Sequence, residues 1–111
     1  MNIYNVLELA LKNGGEYVLG SSELHTHACY FIYGTLKPDE KGKLIKPGKG
    51  HEEIVCIMQG EVSLRGDKET VSVKQGQAFH LKGNEAYFMD NNGQEEVIYV
   101  IAGGHSERHS H

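Results

Sequence analysis

Hydrophobic and polar positions along the chain fall into short runs with two different periods. At the start, Asn5 followed by Glu8 fits a capping box, and Val6, Leu7, Leu9, Ala10 and Leu11 supply the apolar bulk of a short helix. Gly14-Gly15 ends it, because glycine accepts the left-handed backbone that a helix C-terminus favours. A helix this short persists only when docked on something larger. From Glu16 onward the texture is that of strands. Residues 16–19 form one candidate, and residues 28–36 (ACYFIYGTL) are dense in aromatic and β-branched side chains that suit a pleated surface. Residues 37–43, charged and carrying Pro38 and Gly42, read as a loop.

Residues 51–59 (HEEIVCIMQ) carry the strongest strand pattern. Val55 and Ile57 share one face and Ile54, Cys56 and Met58 the other, so the pattern predicts a strand buried on both sides. A hairpin follows: Val62, Leu64, Val71 and Val73 alternate with polar residues around Arg65-Gly66-Asp67-Lys68. Arg-Gly-Asp here is ordinary turn chemistry. Further strands are expected at 77–81, 86–89 and 95–102, separated by Lys82-Gly83-Asn84 and Asp90-Asn91-Asn92-Gly93. Short strands at intervals of about 8 to 12 residues with glycine-rich turns point to an all-β sandwich or barrel with one helix at its start. The expected organisation is a helix within 1–15 docked on a barrel of 16–102, then a histidine-containing polar tail, 103–111.

Composition narrows the function classes. At 111 residues there is room for one ordinary domain. Eleven Lys and Arg against 15 Asp and Glu give a net charge of −4, which argues against a basic nucleic-acid module. No apolar run approaches the roughly 18 to 20 residues of a membrane span, and the first residues lack the basic-then-apolar pattern of a signal peptide. The sequence therefore reads as that of a soluble, cytoplasmic protein without nucleic-acid or membrane partners. Cys29 and Cys56 stand far apart in apolar stretches, with no Cys-x-x-Cys spacing, and read as small buried hydrophobes.

The segment from Gly48 through Glu53 to Gly60 resembles the first motif of the cupin superfamily, whose closing E-x6-G is matched by Glu53 and Gly60. A second cupin motif aligns from Gly76 to Asn91, matching at both ends. The resemblance spans roughly residues 30 to 102 and implies an antiparallel double-stranded β-helix, a jelly-roll barrel of the small single-domain type. Its departures bear on chemistry. The two histidines of the first motif fall on Pro47 and Lys49, the later histidine falls on Tyr87, and of the four usual metal ligands only Glu53 survives.

A relocated metal site is one reading of the remaining donors. His51 has the same strand parity as Glu53, which puts their backbones about 6.6 to 6.8 Å apart on one side of a sheet. His25-x-His27 has the same relation if that segment is extended, and Cys29, Phe31 and Tyr33 then continue its face. Tyr87 stands where the resemblance puts a histidine. A site drawn from His25, His27, His51, Glu53 and Tyr87 would suit a divalent Zn, Fe, Mn or Ni ion without choosing among them. Each residue also has a plainer reading. His25 and His27 fit an exposed strand entry, Glu53 a structural ion pair, and Tyr87 a packed ring. His80 has opposite parity to Phe79 and Leu81 and is expected to face away from a cavity. The histidines of the tail, His105, His109 and His111, read as a polar tail or a surface metal-binding tract.

No nucleotide loop, G-x-S-x-G elbow or paired-carboxylate signature is present. The leading expectation is a cupin-like barrel that binds a small-molecule ligand, with or without a divalent metal. The alternative is a cupin enzyme. It would be either a metal-dependent oxygenase or isomerase, or a metal-free sugar isomerase or epimerase with His51 as base and Tyr87 as acid. A module whose barrel is filled by its own side chains is the third class. The resemblance also implies a homodimer, for which the apolar strand 54–58 offers a face.

Overall fold

The computed structural model describes residues 1–106. Asn5 caps helix α1 (Val6–Lys12) as its spacing predicts: its side chain accepts from the Glu8 amide at 3.3 Å and donates to the Glu8 carboxylate at 3.0 Å. The helix closes where the Gly15 amide bonds back to the Ala10 carbonyl at 2.8 Å, with Gly14 at φ +75°. Ala10, 1% exposed, is its buried contact, and the Gly15 carbonyl ties its end to Thr35 through the Thr35 amide and hydroxyl.

Nine strands follow, in the order β1 (Glu16–Leu19), β2 (Cys29–Leu36), β3 (Lys43–Ile45), β4 (His51–Gln59), β5 (Glu61–Arg65), β6 (Thr70–Lys74), β7 (Ala78–Lys82), β8 (Tyr87–Asp90) and β9 (Val97–His105). A one-turn helix α2 (Ser21–Leu24) sits between β1 and β2. The strands form a five-stranded sheet, β1-β2-β9-β4-β7, and a four-stranded sheet, β3-β8-β5-β6, with every pairing antiparallel. Leu36, Val55, Ile57, Tyr99 and Ile101 of the first sheet meet Ile45, Val62, Leu64 and Met89 of the second in one core. Among the described residues no helix is long and apolar enough to cross a membrane.

The all-β expectation holds, and the bounds of β1 and β4 match the residues that the pattern marked. Four details differ. Strand β3 takes up Lys43 from the expected loop, because Lys43, Leu44 and Ile45 pair with Met89, Phe88 and Tyr87. The turn α2 was not expected. Strand β9 runs on through Gly103, Gly104 and His105, which pair with β4 at Glu53, Glu52 and His51 and so are sheet rather than tail. His109 and His111 lie outside the described residues.

The fourth difference concerns β4, which is buried on one side rather than two. Val55 and Ile57 are fully enclosed, whereas Ile54 and Met58 on the other face are 54% and 52% exposed. The single layer of core between the two sheets can cover only one face of each strand.

Asp90 on β8 ties β5 to the residue that precedes β3. Its carboxylate accepts from Arg65 Nε at 2.6 Å, from Arg65 Nη2 at 3.1 Å and from the Gly42 amide at 2.8 Å. The hydrogen-bonded Arg65 guanidinium is the main cause that holds the Asp90 carboxyl below the usual aspartate value. A carboxyl with a depressed folded value stabilises the fold above its unfolded pKa of about 3.9 and loses that contribution as pH falls through the lower folded value. The thermal midpoint should therefore drop on acidification below about pH 4, and the drop should be smaller in Asp90→Asn, which starts several degrees lower at neutral pH. Melting curves across acid pH check both.

Candidate functional site

The site is built by a row of three residues across three neighbouring strands. Tyr30 on β2 pairs with Gly103 on β9, and Gly103 pairs with Glu53 on β4. Strands lie about 4.8 Å apart, so Tyr30 and Glu53 are separated by a whole strand. Gly103 lets them meet. With no side chain there, the Tyr30 ring lies across β9, and a Cβ on Gly103 would collide with the ring and hydroxyl. The Tyr30 hydroxyl donates to Glu53 Oε2.

Glu53 is only 6% exposed, although it carries a carboxylate. Among the described residues it forms no ion pair with Lys, Arg or His, so the structural ion pair considered for it is not made. Burial first, and the adjoining Glu53 carboxylate second, push the Tyr30 hydroxyl far above the usual tyrosine value. At neutral pH Tyr30 is thus a donor, and Glu53 is the acceptor that the donor satisfies.

Around this pair is a cavity of about 380 Å³, within the usual size of small-molecule sites. Its walls are Val18 and Gly20 at the end of β1, Ser21 of α2, Thr26, His27 and Cys29 entering β2, Pro47, and His51 with Glu53 on β4. The His51 ring stands edge-on to Tyr30 with centroids 5.9 Å apart, and tilts against its cross-strand partner His105 at 5.2 Å. His51 Nδ1 lies 3.2 Å from the Lys49 carbonyl.

Of the residues marked from sequence, the structure brings His27, His51 and Glu53 to one cavity. It does not bring His25, and the extended His25-x-His27 reading is corrected: His25 terminates α2 in the left-handed region at φ 56°, so the two imidazoles do not share a strand face. It does not bring Tyr87 either. That residue belongs to the four-stranded sheet, where its ring packs against Gly66 and its hydroxyl donates to Glu69 at 2.8 Å. His80 faces away as its parity predicts and contacts Glu52 at 2.7 Å on the outer face of the sheet. Both cysteines are free. Neither is fully buried, and the exposed Cys29 lines the cavity.

Tyr30 is the residue the sequence reading passed over. It assigned the site face of β2 to Cys29, Phe31 and Tyr33, whereas Tyr30, Ile32, Gly34 and Leu36 point inward. Nothing within β2 marks that face in the sequence, since aromatic and aliphatic residues stand at both parities; the burial of Gly34 and Leu36 on the Tyr30 face decides it.

The cavity lies beside Glu53, the one survivor of the four ligands that the cupin motifs supply. Pro47 occupies one histidine position and forms a wall without a donor. Lys49, at the other, lines a separate depression. Among the described residues no three His, Cys, Asp or Glu side chains converge into a ligand group.

No family model and no curated protein matches the sequence. Solved structures do match the fold. Ectoine synthase from P. lautus superposes with a TM-score of 0.71 at 17% identity, covering 94% of this chain and 78% of that one. A predicted oxalate decarboxylase from Thermotoga maritima gives 0.68 at 21% identity, over 82% and 81% of the two chains. The Cupin_2 domain of an XRE-family transcriptional regulator from Enterobacter cloacae gives 0.66 at 18% identity, over 85% and 99%. At these identities the likeness establishes the fold, which is the double-stranded β-helix of the cupins.

Two substitutions test the row. Tyr30→Phe leaves the buried Glu53 oxygen without its donor and should cost about 1 to 3 kcal/mol. Gly103→Ala should expel the Tyr30 ring and lose the same contact although Tyr30 itself is unchanged. Urea denaturation with near-ultraviolet circular dichroism reads both effects, and the double variant should lose less than the sum of the two.

Proposed function

From a cupin fold with a cavity at the end of its five-stranded sheet, we propose that the protein binds a small organic molecule there. The observation that carries this reading is Glu53: a nearly buried carboxylate with one tyrosine donor, on the wall of a space large enough for a ligand. His27, His51 and Thr26 supply further polar groups, and Val18, Pro47 and the Tyr30 ring supply apolar wall. The core beneath is packed by apolar side chains, so ligand chemistry is confined to the mouth.

A proton-transfer enzyme is the second reading, favoured by the His51 and Tyr30 rings standing edge-on with centroids 5.9 Å apart on the cavity wall. In that version His51 is the base. The acid role expected of Tyr87 passes to Tyr30, whose hydroxyl is protonated at neutral pH.

Val18 stands at the cavity wall on an edge strand, and Val18→Trp fills the space without entering the core. A ligand-observed magnetic-resonance screen of small polyols, amines, phenols and carboxylic acids should find binders to the unmodified chain that are lost in Val18→Trp. Binders retained by that variant would place recognition elsewhere and defeat the reading.

We also propose that the exposed face of β4 seats a second copy of the chain. By register, Ile54, Cys56 and Met58 share the outward face with Ile98, Val100 and Ala102 of β9, and none of these carries a charge. Such a surface meets its own two-fold copy without like-charge repulsion. Met58→Glu should shift the mass measured by light scattering from dimer to monomer while the circular-dichroism spectrum stays that of a folded β protein. An unmodified chain that is monomeric at high concentration would overturn this assignment.

A further inference from the structure

The tyrosine–glycine–glutamate row occurs twice in this fold, and the two copies differ in one partner. In the second row Glu16 on β1 pairs with Gly34 on β2, and Gly34 pairs with Tyr99 on β9. The Tyr99 ring lies over Gly34 and its hydroxyl donates to Glu16 Oε2 at 2.6 Å. There the carboxylate also has a cation, Lys43 Nζ at 2.9 Å. Glu53 has the tyrosine and, among the described residues, no cation, although it is the more buried of the two carboxylates.

Glu53 is part of the cavity wall. Only Oε2 of Glu53 has a hydrogen-bond partner among the described residues. No side-chain oxygen or nitrogen among them is both fully buried and unpartnered, so Oε1 keeps access to solvent. A carboxylate withdrawn this far from water without a cation is costly to hold and gains most from a positively charged donor.

We propose that the ligand of this cavity carries a primary ammonium group, which docks on Glu53 Oε1 and takes the part that Lys43 plays beside Glu16. Lys46 and Lys49 line a different depression and not this cavity. This inference rests on the cavity being a ligand site and adds the charge of the group it accepts.

The test is a titration of the isotope-labelled chain of 111 residues with ethylammonium chloride, with ethanol and sodium acetate as neutral and anionic probes of similar size. The readout is the backbone amide shifts of Tyr30, Glu53 and Gly103. Ethylammonium should give saturable shifts there and the other two should not. Glu53→Gln should weaken ethylammonium by about tenfold or more. Glu52→Gln, which removes the neighbouring carboxylate on the outer face, should leave it unchanged. If Glu53→Gln does not fold, loss of the ethylammonium response in Val18→Trp reads the same site.

Equal responses to all three probes, or equal weakening by both glutamine variants, would overturn the proposal. So would stoichiometric Zn²⁺ uptake that depends on Glu53 with no response to ethylammonium, which puts a metal in place of the ammonium. A cavity that binds neutral fragments but not ethylammonium defeats this inference alone. Silence toward every fragment and every probe defeats the cavity reading with it.

Discussion

The structure depends on a steric exchange between tyrosine and glycine across the β2–β9 pairing. At Gly103 and at Gly34 one strand gives up its side chain, and the tyrosine of the neighbouring strand lies in the vacated space. Each ring thereby spans a strand and delivers its hydroxyl to a glutamate one strand further on, at Glu53 and Glu16. Each row thus ties three strands of the five-stranded sheet through side chains as well as backbone. Glycine within a strand ordinarily weakens it; here the ring covers the exposed backbone and recovers the lost packing. Tyr99 is the interior member of the pair. Its hydroxyl, raised far above the usual value by burial and then by Glu16, is a donor at neutral pH.

The same device has different consequences at its two positions. Glu16 is closed by Lys43, so the first row is complete within the chain. Glu53 sits at the mouth, beside His51 and the turn of α2, on the wall of the cavity. A buried carboxylate with an incomplete partner set is a poor structural element and a good recognition element. Its placement follows from parity. His51, Glu53, Val55 and Ile57 all point inward, so the strand that builds the core at its middle reaches the mouth with Glu53 and His51 still facing inside.

Much of the fold could be read along the chain because its signals are local. The Asn5–Glu8 cap, the Gly14-Gly15 stop, the alternation in Val62, Leu64, Val71 and Val73, and the apolar run after His51 each act within a few residues of themselves. The sequence reading thus reached an all-β barrel with one leading helix, and β1 and β4 to their end residues. The spacing of Glu53 and Gly60, with Gly76 and Asn91, added the cupin architecture. Local pattern was less informative where an element exists only through its partner. Strand β3 is three residues paired to β8, and the last three residues of β9 are strand because β4 lies beside them.

What the sequence by itself determined was the set of inward-facing positions on β4, and with them His51 and Glu53 as candidates, because side-chain direction in a strand alternates with a period of two. Which side chains would join them was decided by the tertiary structure. His25 was lost to a left-handed helix end and Tyr87 to Glu69, and Tyr30 was gained, because ring, glycine and carboxylate come from strands far apart in the chain and meet only when β9 lies between β2 and β4. The order of strands in a sheet is set by burial of the whole core, not by any one segment. A site assembled across three strands therefore has no signature within one of them.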